Sequence, residues 1–403
     1  MKVAIFGSYN GGSIGDTAIL LGLISSIYRV LGDDVEITVL ALGELGINGE
    51  LKELGLDRRV KEVAVYKAFD DSLYGGGEFL NKIWRFFKRL RKQSPINKCR
   101  ARKVLRATDV LLVGGGNLVM DLYKNWPKIL RTVCDLSRDE KVPYYFVGVG
   151  SAPINTLQGE NDLLYCLKSA AGVYFRDASS KKYCEERLGF GDSLVGPDLA
   201  FGIKCHDLTR VVKDNVLMLN VAAVYSERWP VEDLKKYSDY LSNMVRIVDR
   251  LVESLGIEKV VIFNTNYPLD EFSSEDFLHQ YKSTSNFPVD ISLLRGRNTV
   301  SRLLAVCSRA RFSLVTRLHA GIVSYISGVR VFAVEYQPKV RDVLNAQTSN
   351  TIVESFDSVL SGTAFDSLDQ SLREKISNRD YVSDNDVDAL MSLVLKKRVA
   401  RGG

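Results

Sequence analysis

Metal-ligand motifs are absent from this sequence. It has three histidines and six cysteines in 403 residues, with no CxxC pair and no cluster of cysteines and histidines at the spacing of zinc ligands. Protein zinc sites need such clustered ligands. We therefore expect no metal centre, and we interpret the cysteines as reduced core thiols of a cytoplasmic protein. They are Cys99, Cys134, Cys166, Cys184, Cys205 and Cys307.

Long hydrophobic runs are also missing. No segment reaches the roughly 20 consecutive apolar residues that span a membrane. The apolar run after Met1 soon meets glycine-rich sequence, so it fits a buried strand better than a signal peptide. The 403 residues, 46% of them hydrophobic, suffice for two cores of roughly 200 residues each.

Acidic residues are absent from one long stretch. Residues 82–106 contain eleven Lys or Arg and no Asp or Glu, although the whole chain has a net charge of only +5. Within this stretch and just before it, residues 79–92 have helical spacing with one apolar and one basic face. Such a helix can lie in a membrane interface or pack on the protein, and both interpretations stay open. We expect no nucleic-acid partner.

Short apolar runs alternate with helical patterns along the chain, as in parallel sheets with crossover helices. Two such series are separated by a polar stretch at 202–214. The pattern predicts an α/β protein with two Rossmann-like domains, at 1–204 and 205–385. An amphipathic helix follows at 386–403, and by analogy with two-domain transferases it packs back on the first domain.

Three predicted strands of the first half end in glycine-rich turns. These turns are at 7–16, 114–118 and 148–153, and none has GxGxxG or GxxxxGK[ST] spacing. In open parallel sheets, ligands bind beyond the carboxyl ends of the strands, where glycine allows close backbone approach. Three such turns in one half predict a ligand site there.

In the second half, residues 311–328 predict a buried strand followed by a helix that begins near Arg317. This arrangement places a guanidinium and the imidazole of His319 at the carboxyl end of a strand. A lone histidine is usually a hydrogen-bonded core residue, but an arginine two positions earlier favours a functional site.

With these motifs in order, the chain resembles the polysaccharide pyruvyltransferase family. Its members carry seven motifs in a fixed order along the chain, and all seven occur here between residue 7 and about residue 345. They are Gly15-Asp16, Gly114-Gly115-Gly116 with Leu118 and Asp121, Arg176-Asp177 with Ser180, Asp198 with Ala200-Phe201, Ser226 with Arg228-Trp229, Arg317-Leu318-His319, and Tyr336 with Lys339.

The resemblance implies a GT-B-like fold whose two parallel sheets face a central cleft. It implies phosphoenolpyruvate as the donor substrate, with no further cofactor. The acceptor would be a hydroxyl pair on a cell-surface polysaccharide, such as an exopolysaccharide or cell-wall glycan, or on its lipid-linked precursor. The product would be a pyruvate ketal, made in the cytoplasm or at the inner face of the membrane with contact through residues 79–92.

The resemblance also suggests roles for individual residues. His319 would transfer one proton and Asp16 or Asp121 the other, although Asp16 could instead be a helix N-cap. Arg176 and Arg228 could be ion-pair residues, and Ser180 and Asp198 are expected to be structural. Substrate binding is expected at Arg176, Arg317, Leu318, Lys339, Gly115, Gly116, Asn117 and Arg228.

One departure concerns the acceptor. Many members have Pro-x-His after a strand of the second half, where this chain has Asn264-Thr265-Asn266, followed by Asp270. Two other functions remain alternatives: a glycosyltransferase that uses a nucleotide-sugar donor, and a non-catalytic sugar- or nucleotide-binding protein. The second would be expected to lose the polar residues at the strand ends, and they are present.

Overall fold

The computed structural model describes most of the 403-residue chain. It covers residues 1–9, 13–43, 45–65, 96–123, 125–204, 212–287, 289–348, 351–364 and 386–399. The amphipathic segment predicted at 79–92 lies outside the described residues, as does Cys205. Of the other cysteines, Cys99 is exposed and the remaining four are buried, so Cys99 is not the core thiol that the sequence predicted.

The described part of the N-terminal half is built on one parallel sheet. Its strand order is β3-β2-β1-β4-β6-β7-β8, and β5 pairs with β6 beside it. The strands are β1 (Lys2–Phe6), β2 (Glu36–Ala41), β3 (Val60–Ala64), β4 (Val110–Gly114), β5 (Asn117–Val119), β6 (Tyr144–Ser151), β7 (Gly172–Phe175) and β8 (Leu194–Val195).

The C-terminal half has a second parallel sheet of the order β11-β10-β9-β12-β13-β14. Its strands are β9 (Asp214–Asn220), β10 (Lys259–Ile262), β11 (Asp290–Leu293), β12 (Ala310–Val315), β13 (Arg330–Glu335) and β14 (Thr351–Ser355). Counted from its own first strand, this order is 3-2-1-4-5-6, that of a Rossmann fold. The prediction of an α/β fold with two parallel sheets is therefore confirmed.

Helices connect the strands and cover the sheets. They are α1 (Ile14–Leu31), α2 (Asn48–Glu53), α3 (Lys98–Leu105), α4 (Trp126–Asp139), α5 (Leu157–Lys168), α6 (Ala178–Leu188), α7 (Leu234–Leu255), α8 (Leu269–Thr284), α9 (Val300–Arg309), α10 (Leu318–Ile326), α11 (Pro338–Gln347), α12 (Phe356–Ser361) and α13 (Asp386–Val399). A 3₁₀ turn, Leu199–Gly202, follows β8.

Helix α1 is the apolar centre of the molecule. It is long and apolar enough to cross a membrane, but 72% of it is buried inside the protein. It contacts α9, α10, α13 and the 3₁₀ turn, and its apolar side chains belong to one core with residues of both halves. Its composition therefore reflects burial on nearly every side.

The backbones of α1 and the 3₁₀ turn touch at two glycines. A Cβ at Gly22 would lie 2.0 Å from the carbonyl oxygen of Leu199, and one at Gly202 would lie 2.4 Å from the carbonyl oxygen of Gly22. No real Cβ approaches a backbone oxygen this closely. The glycines therefore set the spacing between α1 and the turn that ends the N-terminal half.

The C-terminal helix α13 lies against α1. The Asp388 carboxylate accepts hydrogen bonds from Arg29 Nε at 2.8 Å, from Arg29 Nη2 at 2.7 Å and from Ser26 Oγ at 2.5 Å. Burial alone would raise the pKa of Asp388, but these hydrogen bonds and the charges of Arg29 and Lys204 lower it. A two-pronged guanidinium–carboxylate pair of this kind fixes the angle at which α13 crosses α1.

We predict that Gly22→Ala and Gly49→Ala change stability in opposite directions. Alanine at 22 would clash with Leu199, and overpacking of this kind costs about 1–3 kcal/mol. Gly49 lies in α2 with open space around it, so alanine there should stabilise by up to about 1 kcal/mol through helix propensity. Thermal unfolding should show a lower Tm for Gly22→Ala only. A Gly22→Ala Tm at or above wild type would refute the close contact.

Candidate active site

The carboxyl ends of the two sheets meet at the first turn of α1. Ile14 N donates to Thr265 O at 3.1 Å, and Ser13 forms an isolated antiparallel bridge with Asn266. Ser13 and Ile14 begin α1 after β1, whereas Thr265 and Asn266 follow β10. Side chains from the ends of both sheets therefore share one site, as ligand groups do at the switch points of such sheets.

Gly15 brings the two halves into direct contact. A Cβ at this position would lie 2.3 Å from His319 Nδ1. The imidazole of His319, in the first turn of α10, therefore occupies the space that any other side chain at 15 would need. This explains in steric terms why glycine precedes Asp16.

The Asp198 carboxylate joins cationic groups from the two halves. Its Oδ2 atom lies 3.0 Å from Arg176 Nη1 and 3.6 Å from His319 Nε2, which is an ion-pair distance rather than a hydrogen bond. Burial alone would raise the pKa of Asp198, but His319, Arg176 and the N–H of Ala200 hold it well below its usual range. Asp198 therefore carries a negative charge at neutral pH.

Two buried nitrogens of this group have no hydrogen-bond partner among the described residues. They are Arg176 Nε and His319 Nε2. Arg176 is 3% exposed, and its Nη2 donates to Asn117 Oδ1 at 2.7 Å. Each lies 3.6 Å from a carboxylate oxygen, Arg176 Nε from Asp177 and His319 Nε2 from Asp198, so a ligand or water can complete their hydrogen bonding.

Asp16 lies in the first turn of α1, beside these groups. The N-cap of α1 is Ser13, so the alternative role of Asp16 as an N-cap is wrong. Burial and the nearby Asp198 raise the pKa of Asp16, while His319, Arg176 and Lys339 oppose that rise. A carboxyl with a raised pKa can hold or release a proton closer to neutral pH than an ordinary aspartate.

Lys339, the second residue of α11, adds a cation to the site. Burial and the guanidinium groups of Arg176 and Arg317 lower the pKa of Lys339 to about 7, although Asp177 and Asp198 partly offset them. At Lys339 the two guanidinium groups therefore outweigh the two carboxylates. Such a site favours the binding of an anion.

The N-terminus of α10 provides a further anion-binding element. Arg317 is the N-cap residue, and no side chain among the described residues caps this nine-residue helix. The N–H of Arg317 itself donates to Asn220 Oδ1 at 3.1 Å. The first-turn N–H groups of Leu318, His319 and Ala320 remain for an anion, which the helix dipole also favours.

The glycine turn after β4 supports the site through its backbone. Gly115 and Gly116 have positive φ values of 74° and 70°. A Cβ at Gly115 would lie 1.9 Å from Ile19 Cγ2, and one at Gly116 would lie 3.4 Å from Asp16 Oδ1. The turn therefore packs against α1 and reaches Asp16, and Asn117 next to it holds Arg176.

Arg317 is bound to a partner within its own half. Its Nε and Nη2 atoms donate to Asp270 Oδ1 at 3.0 and 2.7 Å, and its guanidinium lies 5.5 Å from the ring centroid of Trp229 and 5.8 Å from that of Tyr336. A guanidinium held in this way is rigid. The positive charge of Arg317 still affects Lys339, although the Asp270 carboxylate balances much of it.

The structure also shows the surroundings of three other predicted residues. The side chain of Leu318 is 3% exposed and belongs to the apolar core, so only its N–H can face a ligand. The Asp121 carboxylate instead accepts hydrogen bonds from the N–H groups of Asn155 and Thr156, and these bonds outweigh burial and lower its pKa. Arg228 is exposed and stacks at 3.8 Å on the Phe272 ring.

Two residues at the centre of the site were not predicted to act there. Asp198 was expected to be structural, although its motif had been recognised. Gln347, at the end of α11, accepts from Asp198 N at 3.0 Å and donates to Arg176 O at 3.3 Å. Its amide joins both residues to the helix that carries Lys339. No local sequence signal identifies it, because both partners are backbone atoms of the other half.

The site therefore combines an imidazole, a carboxyl of raised pKa, an ionised carboxylate and a set of cations. It can bind an anionic substrate and move protons beside it. Within the described residues, no group of three or more His, Cys, Asp and Glu side chains is placed to hold a metal ion.

The chain matches the model of one protein family. The model of the polysaccharide pyruvyl transferase family matches residues 43–338, a range that includes Arg176, Asp198 and His319 but not Asp16 or Lys339. No curated protein matches the chain.

Solved structures of three enzymes share the fold of this chain. UDP-GlcNAc 2-epimerase from Methanocaldococcus jannaschii is 12% identical, with a TM-score of 0.59 over 98% of this chain and 100% of that chain. The Neisseria meningitidis enzyme bound to UDP-GlcNAc is 13% identical, with a TM-score of 0.56 over 98% and 100%. Trehalose 6-phosphate synthase from Burkholderia multivorans is 11% identical, with a TM-score of 0.50 over 100% and 98%. These likenesses identify the fold as GT-B-like.

We predict that anion binding strengthens as pH falls from 8 to 6, partly through Lys339. With a pKa of about 7, this ammonium changes from mostly neutral to mostly charged over that range. Sulfate, which does not titrate there, should bind up to about tenfold more tightly at pH 6. Calorimetry should show a smaller pH effect in Lys339→Met, and an unchanged one in Lys182→Met, whose side chain is 74% exposed. Equal pH effects in both variants would contradict the role of Lys339.

Proposed function

Because this chain belongs to the polysaccharide pyruvyl transferase family, we propose that it transfers the pyruvyl group of phosphoenolpyruvate to a glycan. The acceptor is a hydroxyl pair on a cell-surface polysaccharide or on its lipid-linked precursor, and the product is a pyruvate ketal. The enzyme works in the cytoplasm with phosphoenolpyruvate as a substrate and no separate cofactor. Contact with the membrane through 79–92 remains part of this proposal.

The observation that carries the proposal is the group of cations and helix N–H donors that lies beside His319. Phosphoenolpyruvate has both a phosphate and a carboxylate. Arg176, Lys339 and the uncapped N-terminus of α10 supply donors and charge for both groups. Bound phosphoenolpyruvate would stabilise the protonated form of Lys339. Its oxygens would also accept hydrogen bonds from Arg176 and from the first-turn N–H groups of α10.

The reaction requires one proton to reach carbon. The methylene carbon of phosphoenolpyruvate takes up a proton and becomes a methyl group, while two hydroxyl oxygens of the acceptor bond to the neighbouring carbon. The bond from that carbon to the phosphate oxygen breaks, and phosphate leaves with the second hydroxyl proton. Each hydroxyl loses its proton, so a group that accepts protons and a group that donates them must lie close together.

Asp16 and His319 are the two groups that we assign to these transfers. They come from opposite halves and meet at the Gly15 contact. Asp16 has a raised pKa, and His319 Nε2 has no hydrogen-bond partner among the described residues. Asp121 is excluded from this pair because its carboxylate holds the loop before α5.

Arg317 contributes by position more than by direct charge. Its ion pair with Asp270 fixes the residue that precedes α10. The fixed guanidinium lowers the pKa of Lys339 from a distance and keeps His319 in place through the helix that both begin. We therefore assign donor binding chiefly to Arg176 and Lys339.

A direct test is the release of phosphate from phosphoenolpyruvate in the presence of purified cell-surface glycans. We expect release that depends on the glycan, with a new methyl signal from the ketal by NMR. The rival function, glycosyl transfer from nucleotide sugars, is tested on the same glycans with UDP-sugars. Nucleotide release without any reaction of phosphoenolpyruvate would reject our proposal.

We predict that His319→Gln lowers kcat by about 10²-fold or more while the Kd for phosphoenolpyruvate changes by less than about threefold. Glutamine keeps size and hydrogen bonding but carries no proton at neutral pH, so it removes a term that matters in the transition state. The matched control is His279→Gln, on the exposed face of α8, which should behave as wild type. A near-normal kcat in His319→Gln would mean that the histidine only binds or packs.

We also predict that turnover continues in EDTA at more than about half its original rate. The donor site uses guanidinium, ammonium and helix N–H groups, which bind phosphate without a divalent ion. Rates should be compared after dialysis against EDTA, with and without added magnesium or manganese. Loss of activity that either metal restores would contradict this prediction.

A further inference from the structure

A polar cavity lies between the two halves, beside the first turn of α1. Its volume is about 170 Å³. Ser13, Ile14 and Thr17 of the N-terminal half line one side, and Asn264, Tyr267 and Asn298 of the other half line the opposite side. None of these side chains belongs to the group that we assign to donor binding or proton transfer.

Two buried amides among the residues that line the cavity have an unmet hydrogen-bonding need. Asn264 is 1% exposed and Asn298 is 3% exposed, and the Oδ1 atoms of both have no partner among the described residues. Their orientation is fixed by backbone carbonyls: Asn264 Nδ2 donates to Gly296 O at 2.9 Å, and Asn298 Nδ2 donates to Asn264 O at 3.3 Å. The oxygens are therefore left as acceptors that need a ligand or water to donate.

The rim of the cavity adds an aromatic face and balanced charge. Tyr267 is 45% exposed although it lies at this interior boundary. Glu50 and the exposed Arg297 also line it, and burial raises the pKa of Glu50 while Arg297 and the N–H of Val300 lower it. An aromatic ring with hydrogen-bond acceptors and no net charge suits a neutral polyhydroxyl molecule better than an anion or an apolar one.

The cavity and the reacting groups occupy different faces of one helical turn. Ser13 and Thr17 face the cavity, whereas Gly15 contacts His319 and Asp16 lies next to Gly116. A helical turn is about 5.4 Å long, which is close to the length of one sugar ring. A glycan whose hydroxyl pair lies at Asp16 would therefore reach the cavity with an adjacent sugar.

We propose that this cavity binds a neutral sugar unit of the acceptor glycan, next to the sugar that receives the pyruvyl group. The inference rests on the proposed function and adds a residue-level site for the acceptor. Asn264 and Asn298 accept hydrogen bonds from sugar hydroxyl or acetamido N–H groups, and Tyr267 packs on the ring. The enzyme thereby selects a glycan of at least two units.

The test is direct binding of sugars to the full chain. Methyl glycosides of glucose, galactose, mannose, N-acetylglucosamine and N-acetylmannosamine serve as probes in saturation-transfer NMR and calorimetry. We expect at least one to bind, with a Kd at least tenfold weaker in Tyr267→Ala and in Arg297→Ala. The control is Tyr165→Ala, in which a partly exposed tyrosine between Arg131 and Arg138 is removed from the far side of α5.

Phosphoenolpyruvate binding is measured in the same variants, so that the two proposals can fail separately. We expect its Kd to stay within about twofold in Tyr267→Ala and Arg297→Ala. Sugar binding that depends on Tyr267, without any binding of phosphoenolpyruvate, would uphold the cavity and reject the donor.

Two results would overturn the cavity assignment. The first is that no probe binds, which would mean that the cavity holds water only. The second is that a probe binds equally well to wild type, Tyr267→Ala and Arg297→Ala but loses affinity in Asp16→Asn, because the sugar would then occupy only the reacting site.

Discussion

The site depends on one buried carboxylate, that of Asp198, whose negative charge interacts with groups from both halves. It pairs with Arg176 from its own half and lies at ion-pair distance from His319 of the other half. A buried carboxylate is stable only with such partners. Asp198 therefore links the ends of two sheets that, in the described part of the chain, have no strand pairing with each other.

The same balance explains why the site can be both stable and reactive. Burial and the guanidinium groups of Arg176 and Arg317 outweigh the carboxylates of Asp177 and Asp198 at Lys339, and the lowered pKa of Lys339 is the result. The folded protein tolerates this imbalance because Gln347 and Asp270 hold the charged residues through directional hydrogen bonds. The unfavourable free energy of arranging these charges is therefore offset when the protein folds, before a substrate binds.

Much of the fold could be predicted from the sequence because its signals are local. Alternation of apolar strands and helices indicated two parallel sheets, and the position of Arg317 and His319 after a strand placed them at a carboxyl edge. Contacts between the two halves were harder to predict from the sequence. Asp16 and Asp121 both follow strands of one edge, and they are distinguished by the Gly15–His319 contact and by the hydrogen bonds that occupy the Asp121 carboxylate. For Leu318 the sequence did not show which group faces the site, because a helix start exposes the N–H while the side chain turns into the core.

The position of α13 has a consequence for how the chain folds during synthesis. This helix packs on α1 through Asp388, Arg29 and Ser26, yet the ribosome makes it after the whole second sheet. Until it emerges, α1 presents an apolar surface of the kind that chaperones bind. The N-terminal half is synthesised first, but its core is complete only when α13 has been made. The two halves therefore cannot finish folding independently in the order in which they are translated.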